Sequence, residues 1–341
     1  MPDPKPTVAI PVRNGGELFA RTLTALQGQT VKHELLVCDS GSSDGSAELA
    51  REHGARVLEI AAASFSHGGA RNLLVGEARG THVALLTQDA EPADARWLER
   101  LLGGFELAEN VALVYGPYRP RPDADFAVRA ELERWFGSLS EQGDPRVEML
   151  QAHERSTAVL ELLGRRGFFT DVNACLARAA WERVPFREVP YAEDRVLAID
   201  MLRAGYAKVF LPQAAVVHSH AYTSAQQLRR SFDEWRGLLE VYGWREPVSP
   251  VRLLAGLRGE LGWAREELAG RGRPPAGVAA GLAAVTRHYA VARAGALLGS
   301  RADRLPPRVR RVLSLERRSG FTPLHLDRER TPSATGNLAH E

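Results

Sequence analysis

Residues Thr7–Gly16 read TVAIPVRNGG, and Glu34–Gly45 read ELLVCDSGSSDG. Each is a short apolar run that breaks off into a loop of glycine, asparagine, serine and acid. Between them, Leu18–Leu26 repeats its apolar residues at helical spacing. A buried strand, a polar loop, a helix and another buried strand make the repeating unit of a parallel sheet covered on both faces. The pattern continues outward: a helix over Ser46–His53, a strand over Arg56–Ile60, a helix over Ala70–Arg79 stopped by Gly80, a strand over His82–Thr87, a helix over Ala93–Ala108 and a strand over Val111–Tyr115. Sheets of this kind bind ligands in the crevice beyond the carboxyl ends of their strands, so the strand-end loops are where chemistry is expected.

Further along, Glu131–Leu163 reads as a mobile helical or loop insertion, and Phe168–Ala177 returns to the sheet. Ala192–Ala204 is an expected helix closed by Gly205, and Lys208–Leu211 and Ala214–His218 are short strands. After Ser224 the pattern is all-helical, with breaks near Pro247–Pro250 and Arg271–Gly277 and a polar, frayed end. The expected organisation is a catalytic α/β unit over 1–224 and a helical region over 225–341.

Composition sets the class. Of 341 residues, 44% are hydrophobic and 25% charged, the balance of an ordinary globular protein. Cys38 and Cys175 both sit in apolar settings and read as buried thiols, too few for a zinc site or a disulfide framework. The N-terminal residues lack the apolar stretch of a signal peptide, and Ala276–Leu298, the longest apolar region, carries Arg287, His288 and Arg293, which argues against a membrane span. A cytoplasmic protein is expected. The net charge of +2 is uneven: Ala225–Gly320 holds 18 arginines, no lysine and 9 acids. This basic region is compatible with a solvated helical surface and with attachment to an anionic membrane surface. No aromatic-interleaved platform points to nucleic acid.

The loops offer specific chemistry. Asp39 ends the second strand, where it can accept from the imide N–H of a pyrimidine or from a ribose hydroxyl, while Asp44 and Ser43 suit turn and helix-cap roles. Arg71, in His67–Asn72 (HGGARN), falls on the first turn of a helix whose N-terminus favours anions. Asp89, after Leu85–Gln88 (LLTQ), is delivered into the crevice by an apolar strand and is a candidate ligand for a hard divalent cation. His218 and His220 share one side of an extended segment, and His218 is a second candidate ligand. Glu193 and Asp194 open a helix, where a carboxylate can take a proton from an acceptor hydroxyl. Neither a dinucleotide fingerprint nor a P-loop is present.

In this order the motifs Ile10–Asn14, Cys38–Gly45, Gly69–Asn72, Asp89 and Glu193–Asp194 resemble the family 2 glycosyltransferases of GT-A fold, over roughly residues 6–225. Thr87–Ala90 (TQDA) replaces the usual Asp-x-Asp. With His67–Gly69 and His218–His220 it looks like the bacterial rhamnosyltransferase branch. The resemblance implies a mostly parallel GT-A sheet with a helical appendage. It implies a dTDP-L-rhamnose donor, a glycan or lipid-linked acceptor in cell-surface polysaccharide synthesis, and an inverting single displacement. It assigns Asp39 and Arg71 to the nucleobase, with Pro11, Val12, Arg13, Asn14, Ser42, Gly69 and Gln88 in the nucleotide pocket. Asp89 and His218 would hold Mg2+ or Mn2+, Asp194 would be the base beside Glu193, and Asn173 and His67 would line the sugar and acceptor side. The alternatives are a family 2 transferase for another UDP, GDP or dTDP sugar and an inactive sugar-nucleotide-binding protein. A nucleotidyltransferase is disfavoured, because Arg13–Gly16 does not form its glycine-rich loop.

Overall fold

The structure is a computed structural model that describes residues 5–156, 162 and 166–324. Part of the expected 131–163 insertion and the expected frayed end lie outside the described residues.

Strands β1 (Thr7–Val12), β2 (Glu34–Asp39), β3 (Arg56–Glu59) and β4 (His82–Leu86) are joined by helices α1 (Gly16–Gln27), α2 (Ser46–Glu52) and α3 (His67–Glu77) and pair in parallel. Helix α1 shows why: Phe19, Leu23 and Leu26 recur at helical spacing and are buried against the sheet. Each contributes about 1.5–3 kcal/mol relative to exposure. After β5 (Glu91–Pro92) and α4 (Trp97–Gly103) come β6 (Val111–Tyr115), β7 (Tyr118–Arg119), α5 (Phe126–Gly137) and β8 (Arg146–Glu148). Then follow β9 (Asn173–Ala177), α6 (Arg178–Trp181), α7 (Glu193–Arg203), β10 (Ala207–Phe210) and β11 (Val216–Val217).

The main sheet has eight strands in the order β3-β2-β1-β4-β9-β6-β10-β8. Strand β9 runs antiparallel between β4 and β6, and β8 is an antiparallel edge on β10. The chain turns from β1 to β2 on one side and to β4 on the other, which opens the crevice at the carboxyl ends of these three strands.

Two expectations need correction, and one expected strand falls in a second sheet. Helix α3 begins at His67 rather than Ala70, because Ser66 caps it by accepting from the Gly69 N–H at 3.1 Å. The helix expected over Ala93–Ala108 is α-helical only over Trp97–Gly103. Residues 91–92 are strand, and the Asp94 side chain accepts from the Arg96 N–H to turn the chain. The Ala214–His218 run does not join the main sheet. Its strand, β11, forms a separate three-stranded sheet between β5 and β7.

From Ser224 the described chain is helical: α8 (Ser224–Tyr242), α9 (Pro250–Gly270), α10 (Pro275–Gly299) and α11 (Pro307–Leu313). Helix α10 lies close on α8: a Cβ on Gly295 would stand 2.4 Å from the Leu228 carbonyl oxygen, and one on Gly299 2.3 Å from that of Phe232. Helices α9 and α10 also pack on α5 through Ala264, Val285 and Ala127.

Candidate functional site

The β1 and β2 loops are tied into one wall. The Asn14 N–H donates to Ser42 Oγ at 2.9 Å, and the Ser43 N–H returns a bond to Asn14 Oδ1 at 2.8 Å. Asn14 takes φ +49°, a left-handed conformation that asparagine tolerates. The Gln88 side chain latches the β4 loop to this wall, accepting from the Arg13 N–H at 2.8 Å. Asn14, Ser42 and Gln88, expected to touch the nucleotide, spend these bonds on holding the three loops together. Pro11 and Val12 lie within β1, with Val12 buried and Arg13 exposed at the strand end.

Asp39 is different. It is buried at the end of β2, and its Oδ1 accepts from the Gly41 and Ser42 N–H groups at 2.9 Å each. Its Oδ2 is buried and has no hydrogen-bond partner among the described residues. A buried acceptor left open in this way is costly unless a ligand completes it.

The small sheet builds the second part of the site. Register pairs Val216 with Pro92 and Val217 with Glu91, so the next residue, His218, arrives beside the Asp89–Ala90 turn. The His218 N–H donates to the Arg119 carbonyl at 2.9 Å, which fixes it on β7 as well. His218 Nδ1 lies 3.5 Å from Asp89 Oδ1 and His220 Nδ1 lies 3.9 Å from Asp89 Oδ2. Ligand atoms of Asp89, His218 and His220 all lie within 4.8 Å of one another, close enough to share one cation. Burial holds His218 below the usual imidazole range. Burial, and then His218, bring His220 down to about 4. Both rings are therefore neutral near pH 7, the form that ligates metal.

Across the crevice stands an acidic cluster. Helix α7 opens at Ala192, a non-glycine residue at φ +60°, followed at once by Glu193 and Asp194. Arg71 is almost wholly buried and ion-paired with Asp171. Burial and then the Asp171 charge push both Glu193 and Asp194 up, Asp194 to about 7. His67 is exposed, with Nδ1 4.0 Å from Glu193 Oε1. Tyr118 joins the two halves: its ring meets the His218 ring edge-on at 5.2 Å between centroids, and its hydroxyl hydrogen-bonds Thr170 beside Asp171.

Some expected site residues are committed elsewhere. Asn173, expected to line the sugar pocket, is wholly buried. Its Oδ1 accepts from Trp97 Nε1 at 2.8 Å, and its Nδ2 donates to the carbonyls of Ala214 and Pro117 at 2.8 and 3.2 Å. Every polar atom of the amide is thus engaged, so Asn173 braces the sheet and does not face a sugar. Gly69 serves the α3 cap, where a Cβ would stand 2.6 Å from Ser66 Oγ, and a Cβ on Gly68 would stand 2.5 Å from the Arg187 carbonyl oxygen; both glycines make room for the protein itself. Arg71 presents its charge to acids, not to an open crevice. Sequence reasoning missed Asp171, Tyr118 and Arg121, whose roles depend on partners far along the chain. Asp171 alone lay in the Phe168–Ala177 run expected to return to the sheet, two residues before Asn173.

The thiols of Cys38 and Cys175 are free and buried, as expected. Among the described residues, no helix is long and apolar enough to cross a membrane.

Comparison with known proteins places the chain in a family. The model of Glycosyl transferase family 2 matches residues 7–160. The O-antigen chain rhamnosyltransferase RfbN of Salmonella typhimurium is 33% identical over 240 residues, covering 67% of this chain and 71% of that protein. The O-antigen chain rhamnosyltransferase WbaN of Salmonella anatum is 31% identical over 238 residues, with 67% and 71% covered. Among solved structures, the mannosyltransferase PcManGT from Pyrobaculum calidifontis, in complex with GDP-Man and Mn2+, superposes with a TM-score of 0.56. Its identity is 19%, with 89% of this chain and 87% of that one covered, a likeness of GT-A fold. A matching family model, together with a relative one-third identical over two thirds of both chains, makes this chain a member of the family 2 glycosyltransferases.

Proposed function

We propose that the protein transfers L-rhamnose from dTDP-L-rhamnose to a hydroxyl of a glycan or lipid-linked acceptor, with inversion, in cell-surface polysaccharide synthesis. The observation that carries the reaction class is the Asp89–His218–His220 cluster together with the raised acids Glu193 and Asp194 at the start of α7, linked through Tyr118. The choice of sugar rests on the similarity to O-antigen rhamnosyltransferases.

Each residue has a part. The open Oδ2 of Asp39 accepts from the imide N–H of thymine. Asp89, His218 and His220 would hold Mg2+ or Mn2+: one carboxylate and two neutral imidazoles leave coordination places for oxygens of the donor diphosphate. Bound there, the ion would supply charge to the departing diphosphate. Asp194, raised toward neutrality, takes the acceptor proton as that oxygen attacks the anomeric carbon from the face opposite the diphosphate. Burial, then the Asp171 and Asp194 charges, also push Glu193 up, and in its protonated form it can donate to the acceptor or its sugar.

Incubation with a panel of nucleotide sugars and Mn2+, followed by mass spectrometry of released nucleotide and product, tests the reading. Strongest turnover with dTDP-L-rhamnose is expected. Preference for a UDP or GDP hexose would overturn the sugar assignment, and binding of no nucleotide sugar would overturn the reaction class.

A further inference from the structure

Arg121 occupies the loop after β7. Its Nη2 donates to the Asp89 main-chain oxygen, and its own N–H donates to Ser219 Oγ at 3.0 Å. It therefore bridges the segment carrying Asp89 to the one carrying His218 and His220. The loop is held from behind by Arg129 of α5, whose guanidinium donates to the carbonyls of Arg121, Pro122 and Ala124. Arg121 is 9% exposed, and its side-chain Nε and Nη1 are buried without a hydrogen-bond partner among the described residues. No acid among the described residues forms an ion pair with it. A buried guanidinium with two open donors lacks its anion, and leaving such a charge uncompensated is strongly unfavourable. Arg71, by contrast, has Asp171.

We propose that Arg121 binds the diphosphate of the nucleotide sugar, beside the Asp89–His218–His220 cluster. The inference rests on the nucleotide-sugar reading above and names the side chain that meets the leaving group. The planar fork of a guanidinium matches two phosphate oxygens at once. In the transfer, the acceptor oxygen forms its bond to the anomeric carbon and its proton passes to Asp194. The bond from that carbon to the diphosphate oxygen breaks, its electron pair leaving with the diphosphate. Charge grows on that oxygen, where the Arg121 donors can stabilise it. A second cation, Arg230 of α8, acts electrostatically on both histidines but is hydrogen-bonded to Tyr191, so it is not the open donor.

The test is calorimetric titration of the parent, Arg121→Gln and Arg121→Lys with thymidine, dTDP and inorganic pyrophosphate, each with Mn2+ and with EDTA. Thermal melting and Mn2+ affinity without nucleotide serve as controls on the fold and on the Asp89 loop. Thymidine affinity should stay within about twofold in both variants. Arg121→Gln should bind dTDP and pyrophosphate about 10- to 100-fold more weakly, in EDTA as well as in Mn2+, and Arg121→Lys should recover part of that loss. Unchanged dTDP affinity in Arg121→Gln overturns the proposal. So does an equal loss for thymidine and dTDP, or a loss of Mn2+ affinity that accounts for the whole effect. If the parent binds dTDP but the variants do too, the transferase reading survives. If the parent binds no nucleoside diphosphate, that reading falls, and this one with it.

Discussion

Asp194 owes its chemistry to its neighbours. Burial, then the negative charge of Asp171, favours its protonated form, while Arg195 and Arg71 oppose this and leave the carboxyl at about 7. A base must be ionised to act, so kcat/KM should rise with pH through an acid limb near neutrality. Asp171→Asn removes a like charge and releases Arg71 from its ion pair, and both changes favour the carboxylate. The acid limb should therefore move to lower pH in Asp171→Asn, while Asp194→Asn should lose about 10²–10⁴ in kcat with donor affinity nearly unchanged. A pH–rate profile decides the point. An acid limb that stays in place or moves up in Asp171→Asn would remove Asp171 from this role, and near-parental turnover of Asp194→Asn would end its assignment as base.

At the level of elements, the crevice depends on two-residue strands. Strand β11 sets His218 beside Asp89 only because the β6–β7 turn lets the 214–216 segment approach closely. A Cβ on Gly116 would stand 1.8 Å from the Ala214 carbonyl oxygen and 2.8 Å from Asn173 Nδ2. Gly116→Ala should therefore cost about 2–3 kcal/mol in stability and weaken Mn2+ binding by shifting His218. Gly103→Ala, at a helical position with nothing within 4 Å of the added carbon, should leave both unchanged or add slightly to stability. Chemical denaturation and Mn2+ titration of the two variants make the comparison; equal behaviour would show that the turn tolerates the side chain. This geometry also marks where sequence reading succeeds. Strands β1, β2 and β4 are continuous apolar runs because both faces are buried, and that signal is local. Two-residue strands carry no periodicity, so the small sheet was not legible, although Ala214–His218 could be read as a short strand. The same limit applies to side chains. Asp89 and His218 could be read from strand-end position and residue type. Asn173 and Arg71 stood in equally suggestive motifs but are satisfied by Trp97 and Asp171, residues distant in sequence and adjacent only once folded. Arg121 gave no local signal, since its meaning comes from the Asp89 carbonyl 32 residues away.

At the scale of the whole molecule, the uneven charge of the helical region acquires a direction. Many of its arginines are already engaged: Arg245 with Asp303, Arg293 with Glu246, Arg236 with Glu240 and Arg271 with Glu267. Arg245 and Arg293 tie separate segments together, Arg236 and Arg271 pair along their own helices, and all four contribute little free charge. The start of α9 is different. Val248, Val251 and Leu254 are 66%, 76% and 68% exposed, and Arg252 and Arg258 are exposed on the same helix. Farther along the helix, Ala264 and Leu268 are buried against the rest of the protein. Exposed apolar residues interleaved with arginine suit a surface that is anionic outside and apolar just beneath, as at a bilayer interface. Such attachment would bring the crevice to a lipid-linked acceptor. Flotation with vesicles containing phosphatidylglycerol should recover the protein at low salt, and recovery should fall as salt screens the arginines. Vesicles of phosphatidylcholine alone should recover little. Val251→Asp with Leu254→Asp should reduce recovery on anionic vesicles without altering turnover on a soluble acceptor, because neither residue lies at the crevice. Arg252→Gln with Arg258→Gln should reduce both the recovery and its dependence on salt. Equal recovery on neutral and anionic vesicles at low salt, or a double aspartate variant that floats like the parent, would show that this face does not bind the membrane.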